Sequence, residues 1–215
     1  MNDERPAEEL EAQAALRVRQ GKGARYDSAA APAKDLLLAR RGTAYFARKL
    51  NELDDAGLDG PSAFDAVGRR LLVSGVGYQA RALARIAEAA RQGRAEERFG
   101  DPEQEADDVL LGASLPAHAL RYLFKHTETH LNVEWRDLTD AGWDHPVVAL
   151  SGRCRTPRDT VRERAMAVWL AAVALGNGGV LRDVPAEIRP QGLQFSDLGP
   201  VMQRDIAQNL ATSRQ

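Results

Sequence analysis

The run TPRDTVRERAMAVWLAAVALGNGG, residues 156–179, restricts the fold more than any other part of the chain. Thr156 is an N-cap residue. Pro157 suits the first helical position, because its missing N–H has no partner to lose there, and Asp159 sets negative charge at the positive end of the helix. From Met166 to Leu175 the run is apolar all round, as in a helix buried on every side. Gly176 stops it, since glycine enters the left-handed cap at no steric cost. Such a helix needs other helices packed around it. Its apolar stretch is too short to span a bilayer, which takes roughly 20 residues.

Other segments supply the partners. Residues 35–53 carry Leu38, Phe46, Leu50 and Leu53 at helical spacing and end in the loop DDAGLDGPS. A second helix is expected from about 65 to 91, weakened early by Gly68, Gly75 and Gly77. GRAEERFGDPEQE reads as a charged loop. A third helix covers about 115–138, with Pro116 at its start, and the fourth runs to Gly176 after a loop over 139–155. No strand and no repeat emerges. The pattern predicts an all-α chain, an antiparallel four-helix bundle over 34–190. An N-terminal arm, 1–33, precedes it, with an exposed helix over 8–19. A C-terminal extension, 191–215, follows, with a short helical piece at 199–211.

Composition narrows the function classes. Apolar residues make up 44% and charged residues 28%, enough to build a core. A net charge of -2 supplies no basic face for nucleic acid. The single cysteine, Cys154, excludes a disulfide within the chain and fits a reducing cytoplasm. MNDERPAEELEAQ has no apolar segment of the secretory kind. The expected partner is a small molecule, with no nucleic acid and no membrane. Oligomeric state is left open, a homodimer included.

In order along the chain, LLLARRGTAYFARKLNELDDAGLDGPS, VGYQARAL, HLNVEWRDL and LGNGG resemble the N-terminal domain of mycothiol-dependent maleylpyruvate isomerases. These belong to the DinB-like superfamily of metal-binding four-helix bundles. The resemblance covers about residues 30–190 and implies a DinB-like bundle. It also implies a metal site built from a histidine on helix two and a glutamate and histidine four apart on helix four. The i, i+4 spacing sets the last two on one helix face. This chain departs from the pattern at each ligand. Gly75 stands at the first histidine position, Ala167 at the glutamate, Ala171 at the second histidine and Ala174 at a nearby aspartate, while Val67 replaces a tryptophan. These side chains cannot ligate a metal, so no metal cofactor is expected, while mycothiol stays open as a co-substrate. The second domain of full-length isomerases finds no room after residue 190.

Ala167, Ala171 and Ala174 then have two readings. They let helices approach closely, or they leave volume for a ligand where large polar side chains are expected, since empty cavities are costly. Glu163, one turn earlier, can supply an acid at the end of such a pocket or lie solvated on the surface. On helix three, His126, His130 and Glu134 follow one stripe, drifting by roughly 40° per step. Leu120, Phe124, Leu131, Trp135 and Leu138 form the apolar sector beside them, with Arg121, Lys125, Asn132 and Arg136 on the wet side. The three polar residues form either a satisfied boundary network or an acid/base site in which Glu134 orients His130. They cannot share one metal, because i to i+8 is about 12 Å along the axis. Arg81, in the family-like YQARAL, can hold a carboxylate bidentately, with Tyr78 one turn earlier, or can simply face solvent. SGVGYQAR lacks the strand of a phosphate loop. Cys154 has no visible base beside it.

Three functions follow as expectations. The first is a metal-independent isomerase- or cyclase-type enzyme acting on a small unsaturated or carbonyl-containing acid, suited to specialised metabolism. His130, Glu134 and His126 carry its proton chemistry. Arg81, Tyr78, Glu163, Gly75 and the three alanines line its substrate site. The second is a non-catalytic binding or regulatory protein. The third is a mycothiol-dependent transferase or isomerase that works without metal.

Overall fold

The computed structural model describes residues 11, 26–64, 67–96 and 102–198. Its long helices are α1 (Ala33–Asn51), α2 (Arg69–Arg91), α3 (Pro102–Ser114), α4 (Ala117–Asp137) and α5 (Pro157–Ala174). The helix expected over 8–19 and the piece at 199–211 lie outside the described residues, apart from Glu11. The start of α5 forms as its sequence requires: the Asp159 N–H donates to Thr156 Oγ1 and the Thr156 N–H to Asp159 Oδ2.

α1, α2, α4 and α5 make the bundle, and side-chain bonds fix their directions. Arg121 donates to the Leu50 carbonyl at 2.6 Å and Arg40 to Asn132 at 2.9 Å, so α4 runs antiparallel to α1. Arg69 reaches the Leu175 carbonyl and Arg164 that of Val76, so α2 and α5 are antiparallel. α1 and α5 run the same way, as Asp35–Arg162, Leu38–Trp169 and Lys49–Asn177 show. So do α2 and α4, where Gly77 lies beside Leu123 and Thr127 and Arg91 meets Glu134. The order is up, down, down, up.

α3 makes that order feasible, and it overturns part of the expected charged loop. It carries the chain back along α2 before α4 starts. Pro102 opens it, a proline start signal hidden within a run of charges. Ser74 Oγ donates to the Val109 carbonyl at 2.7 Å, and a Cβ on Gly112 would stand 2.3 Å from that hydroxyl. Only glycine lets α3 approach so closely. α2 starts at Arg69, later than expected, because Gly68 is extended and bridges Pro61. A two-residue ladder, Val147–Val148 with Cys154–Arg155, closes the loop before α5; it is too short to show alternation in sequence.

The expected apolar sector of α4 is buried, as are Leu38, Phe46 and Leu50 of α1. Arg121 and Asn132, placed on the wet side by periodicity, instead tie α4 to α1. The flanks also pack on the bundle. Asp27 pairs with Arg40, Ala31 is buried, and Val184, Ile188 and Leu198 are buried beyond α5. No described helix is long and apolar enough to cross a membrane.

Tyr45 anchors the segment after α5, donating to Asp183 Oδ2 at 2.5 Å. Burial, then this bond, pushes the phenol up to about 12. Its folded value lies above the ordinary 10.0. Its contribution to stability is therefore full below pH 10 and is lost as pH rises towards 12. A tyrosine absorbance titration is expected to show a late step near pH 12 that Tyr45→Phe removes. A late step that survived the substitution would show the assignment to be wrong.

Candidate functional site

Several polar side chains are buried in the helices. Thr43 on α1, Ser74 and Gln79 on α2, Thr127 on α4 and Arg164 on α5 are all buried. Arg164 is the most demanding of them, a guanidinium 1% exposed. Its Nη1 donates to the Val76 carbonyl at 2.8 Å and to Gln79 Oε1 at 2.9 Å. Gln79 Nε2 in turn donates to the Leu198 carbonyl at 3.3 Å. Arg164 Nε and Nη2 are buried with no partner among the described residues. Burial pulls this guanidinium down to about 10, against the opposing pull of Glu128. Glu128 offsets this only in part, and burying an ion with unmade hydrogen bonds costs several kcal/mol, so folding alone gives little reason to keep it.

Gly75 precedes Gln79 by one turn of α2, and Ala167 and Ala171 follow Arg164 by one and two turns of α5. Gly75, Ala167, Ala171 and Ala174 are all buried in the bundle. The short turn Phe195–Leu198 packs against α5, with Phe195 edge-on to Phe64 and Leu198 fully buried. These positions do not fit a metal ion. None carries a donor atom, and the nearest charged group on the same stripe of α5 is itself a cation. Among the described residues no three His, Cys, Asp or Glu side chains gather as ligands.

Glu128, half-buried on α4, is the carboxyl that interacts with the Arg164 charge. Burial pushes it up, and the Arg164 charge opposes part of the rise. A carboxyl raised in this way exchanges protons closer to neutral pH, which suits a general acid or base.

The structure separates the residues singled out from sequence. Glu134 is buried and engaged by Arg91 Nε at 2.9 Å, while His130 Nε2 stands 3.5 Å from its other oxygen. His130 is 44% exposed, and His126 is exposed and stacked on Tyr122. The His130–Glu134–Arg91 group lies further along α4, towards the far end of α2. Arg81 is exposed over the Tyr78 ring, and Tyr78 faces α3, beside Gly112 and the Asp108 charge. This pair is on a different side of α2 from Val76 and Gln79. Glu163 is paired with Arg155, with its Oε1 buried and without a partner among the described residues. Cys154 is exposed on the short ladder.

Sequence reasoning passed over Arg164 and Glu128. For Arg164 a signal existed: Val161, Arg164, Val168 and Ala171 share a core register of i, i+3, i+7 and i+10.

Comparison with known proteins places this architecture. A family model described as the mycothiol maleylpyruvate isomerase N-terminal domain matches residues 39–175. Two solved structures match over 72% of this chain, at 32% identity and a TM-score of 0.68. They are the mycothiol-dependent maleylpyruvate isomerase and a histidine-to-alanine mutant of it. The chain covers 65% of the length of each. Among curated proteins nothing matches.

Proposed function

The chain belongs to the mycothiol maleylpyruvate isomerase N-terminal domain family, and from that membership we propose an isomerase-type protein that holds a small unsaturated or carbonyl-containing acid inside the bundle and moves protons on it with its own side chains. One observation carries the reading. The positions that the family resemblance assigns to metal ligands are Gly75, Ala167 and Ala171, yet the same helices keep Gln79 and Arg164, polar and buried, one turn away and bonded to each other. A bundle that only packed would fill its centre with apolar groups, since buried polar groups stabilise little and cost much when unpaired.

In this reading the proton carrier is Glu128, whose carboxyl is raised by burial and feels the Arg164 charge. His130, with Nε2 3.5 Å from Glu134 Oε1, lies on a more open part of α4. A second reading is favoured by the two solved relatives, both described as mycothiol-dependent: the thiol joins as co-substrate, again without a metal.

Solvent deuterium exchange tests these readings. Protein treated with chelator is offered maleylpyruvate in D2O, with and without mycothiol, and followed by proton NMR. Exchange at carbon beside the carbonyl or double bond is expected, unchanged by chelation. Exchange only with mycothiol supports the second reading. Exchange that requires restored zinc overturns both, and binding without exchange leaves a binding protein.

A further inference from the structure

We propose that the free edge of Arg164 is the carboxylate anchor of this protein, taking one carboxylate of a small acid between α2 and α5. The inference rests on the reading that the bundle interior handles such an acid, and it names the group that recognises it.

The guanidinium is divided in its use. Nη1 is tied to the Val76 carbonyl and to Gln79 Oε1, which holds the plane of the group still. The two donors left over, Nε and Nη2, are both buried and both without a partner among the described residues. They are neighbours on one edge of the guanidinium, where two parallel N–H groups match the two oxygens of a carboxylate. A lysine would offer a point charge with no such fork. Beside this edge, one and two turns along α5, are Ala167 and Ala171, with Gly75 across on α2. Small apolar side chains there suit a ligand body of a few carbons. No other cation belongs to the buried polar set, so the site offers one fork for one carboxylate of the ligand. Entry requires the Phe195–Leu198 turn to move, because it packs on α5 and its Leu198 carbonyl is held by Gln79.

The cost to the fold points the same way. An arginine kept for stability would be fully paired. Among the described residues this one is half-paired, and its burial pulls it below the ordinary value. Glu128 opposes that fall only in part, and a bound carboxylate supplies acceptors for the two donors that Glu128 does not reach.

Maleate is the test ligand, titrated into the full chain by calorimetry and thermal shift, with dimethyl maleate and inorganic phosphate alongside. Maleate is expected to bind and raise the melting temperature, and dimethyl maleate to do neither. Arg164→Met is expected to weaken maleate binding at least tenfold while melting, without ligand, no lower than the parent. Arg164→Lys, which keeps charge and loses the fork, is expected to weaken it by a similar factor. An independent readout needs no variant: the Arg164 Nε–H resonance is expected to move downfield as maleate is added. No maleate binding, equal binding by Arg164→Met, a silent Nε–H resonance, or phosphate binding as tight as maleate would overturn the anchor. Deuterium exchange without carboxylate-dependent binding would sink this site and spare the proposed reaction. Binding that depends on Arg164 without exchange would do the reverse.

Discussion

Trp169→Ala is expected to destabilise the fold by about 3–5 kcal/mol, the range for removing a large buried aromatic side chain. Trp169 is the key of the α1–α5 seam. It is 5% exposed, donates from Nε1 to the Leu38 carbonyl at 3.0 Å and stacks on Tyr45 at 4.9 Å. Gly42 is the lock: a Cβ there would stand 2.6 Å from the indole ring and from Val168. The helices touch because one side supplies no side chain and the other supplies the largest. Urea unfolding measures the loss, and a change below about 1 kcal/mol would mean the seam closes over the gap. Gly42→Ala approaches the same contact from the other helix and is expected to cost about 1–3 kcal/mol through overpacking.

Much of this seam was legible in the sequence. Thr156, Pro157 and Asp159 place the start of α5, and Gly176 its end, because caps act within a turn of the residues that make them. The core faces of α1 and α4 follow from their period. The family resemblance carried the bundle as a whole. What periodicity could not show was direction and side. The return helix α3 was hidden because its first turn is as charged as the loop before it, and without α3 the up, down, down, up order does not follow.

The site was less legible for a related reason. YQARAL matches the family motif, but the sequence of α2 does not say which of its faces meets α5. Gln79 faces Arg164, while Tyr78 and Arg81 turn towards α3. Arg164 reads as one more charge in the run VRERA, where Glu163 drew attention as the acid. In the fold Glu163 is taken by Arg155 and Arg164 is the interior residue. The question first raised by the alanine stripe, packing or vacated volume, thus becomes a question of charge. The alanines are buried, the turn Phe195–Leu198 packs on their helix, and a cation incompletely paired among the described residues remains on the stripe they share.

The largest functional effect is expected from Glu128→Gln, which should lower the exchange rate on a small acid by roughly 10²–10⁴, the usual contribution of a positioned acid or base. The same change is expected to raise stability at pH 7. Burial lifts the folded value of Glu128 above the ordinary 4.5. The folded state therefore binds more protons than the unfolded state in the interval above 4.5, and its stability falls as pH climbs through that interval. Glutamine, neutral throughout, escapes the loss. The stability gain should shrink as pH drops towards 4.5, where the parent carboxyl is protonated as well. Chemical denaturation at several pH values, run beside the exchange assay, reads both effects. A carboxylate kept only for the fold would give the opposite pair, with activity retained and stability reduced. Loss of activity together with a pH-dependent gain in stability marks a group held in the bundle for its chemistry. A Glu128→Gln variant that exchanged normally would remove Glu128 from the mechanism while leaving the Arg164 anchor to be judged by binding alone.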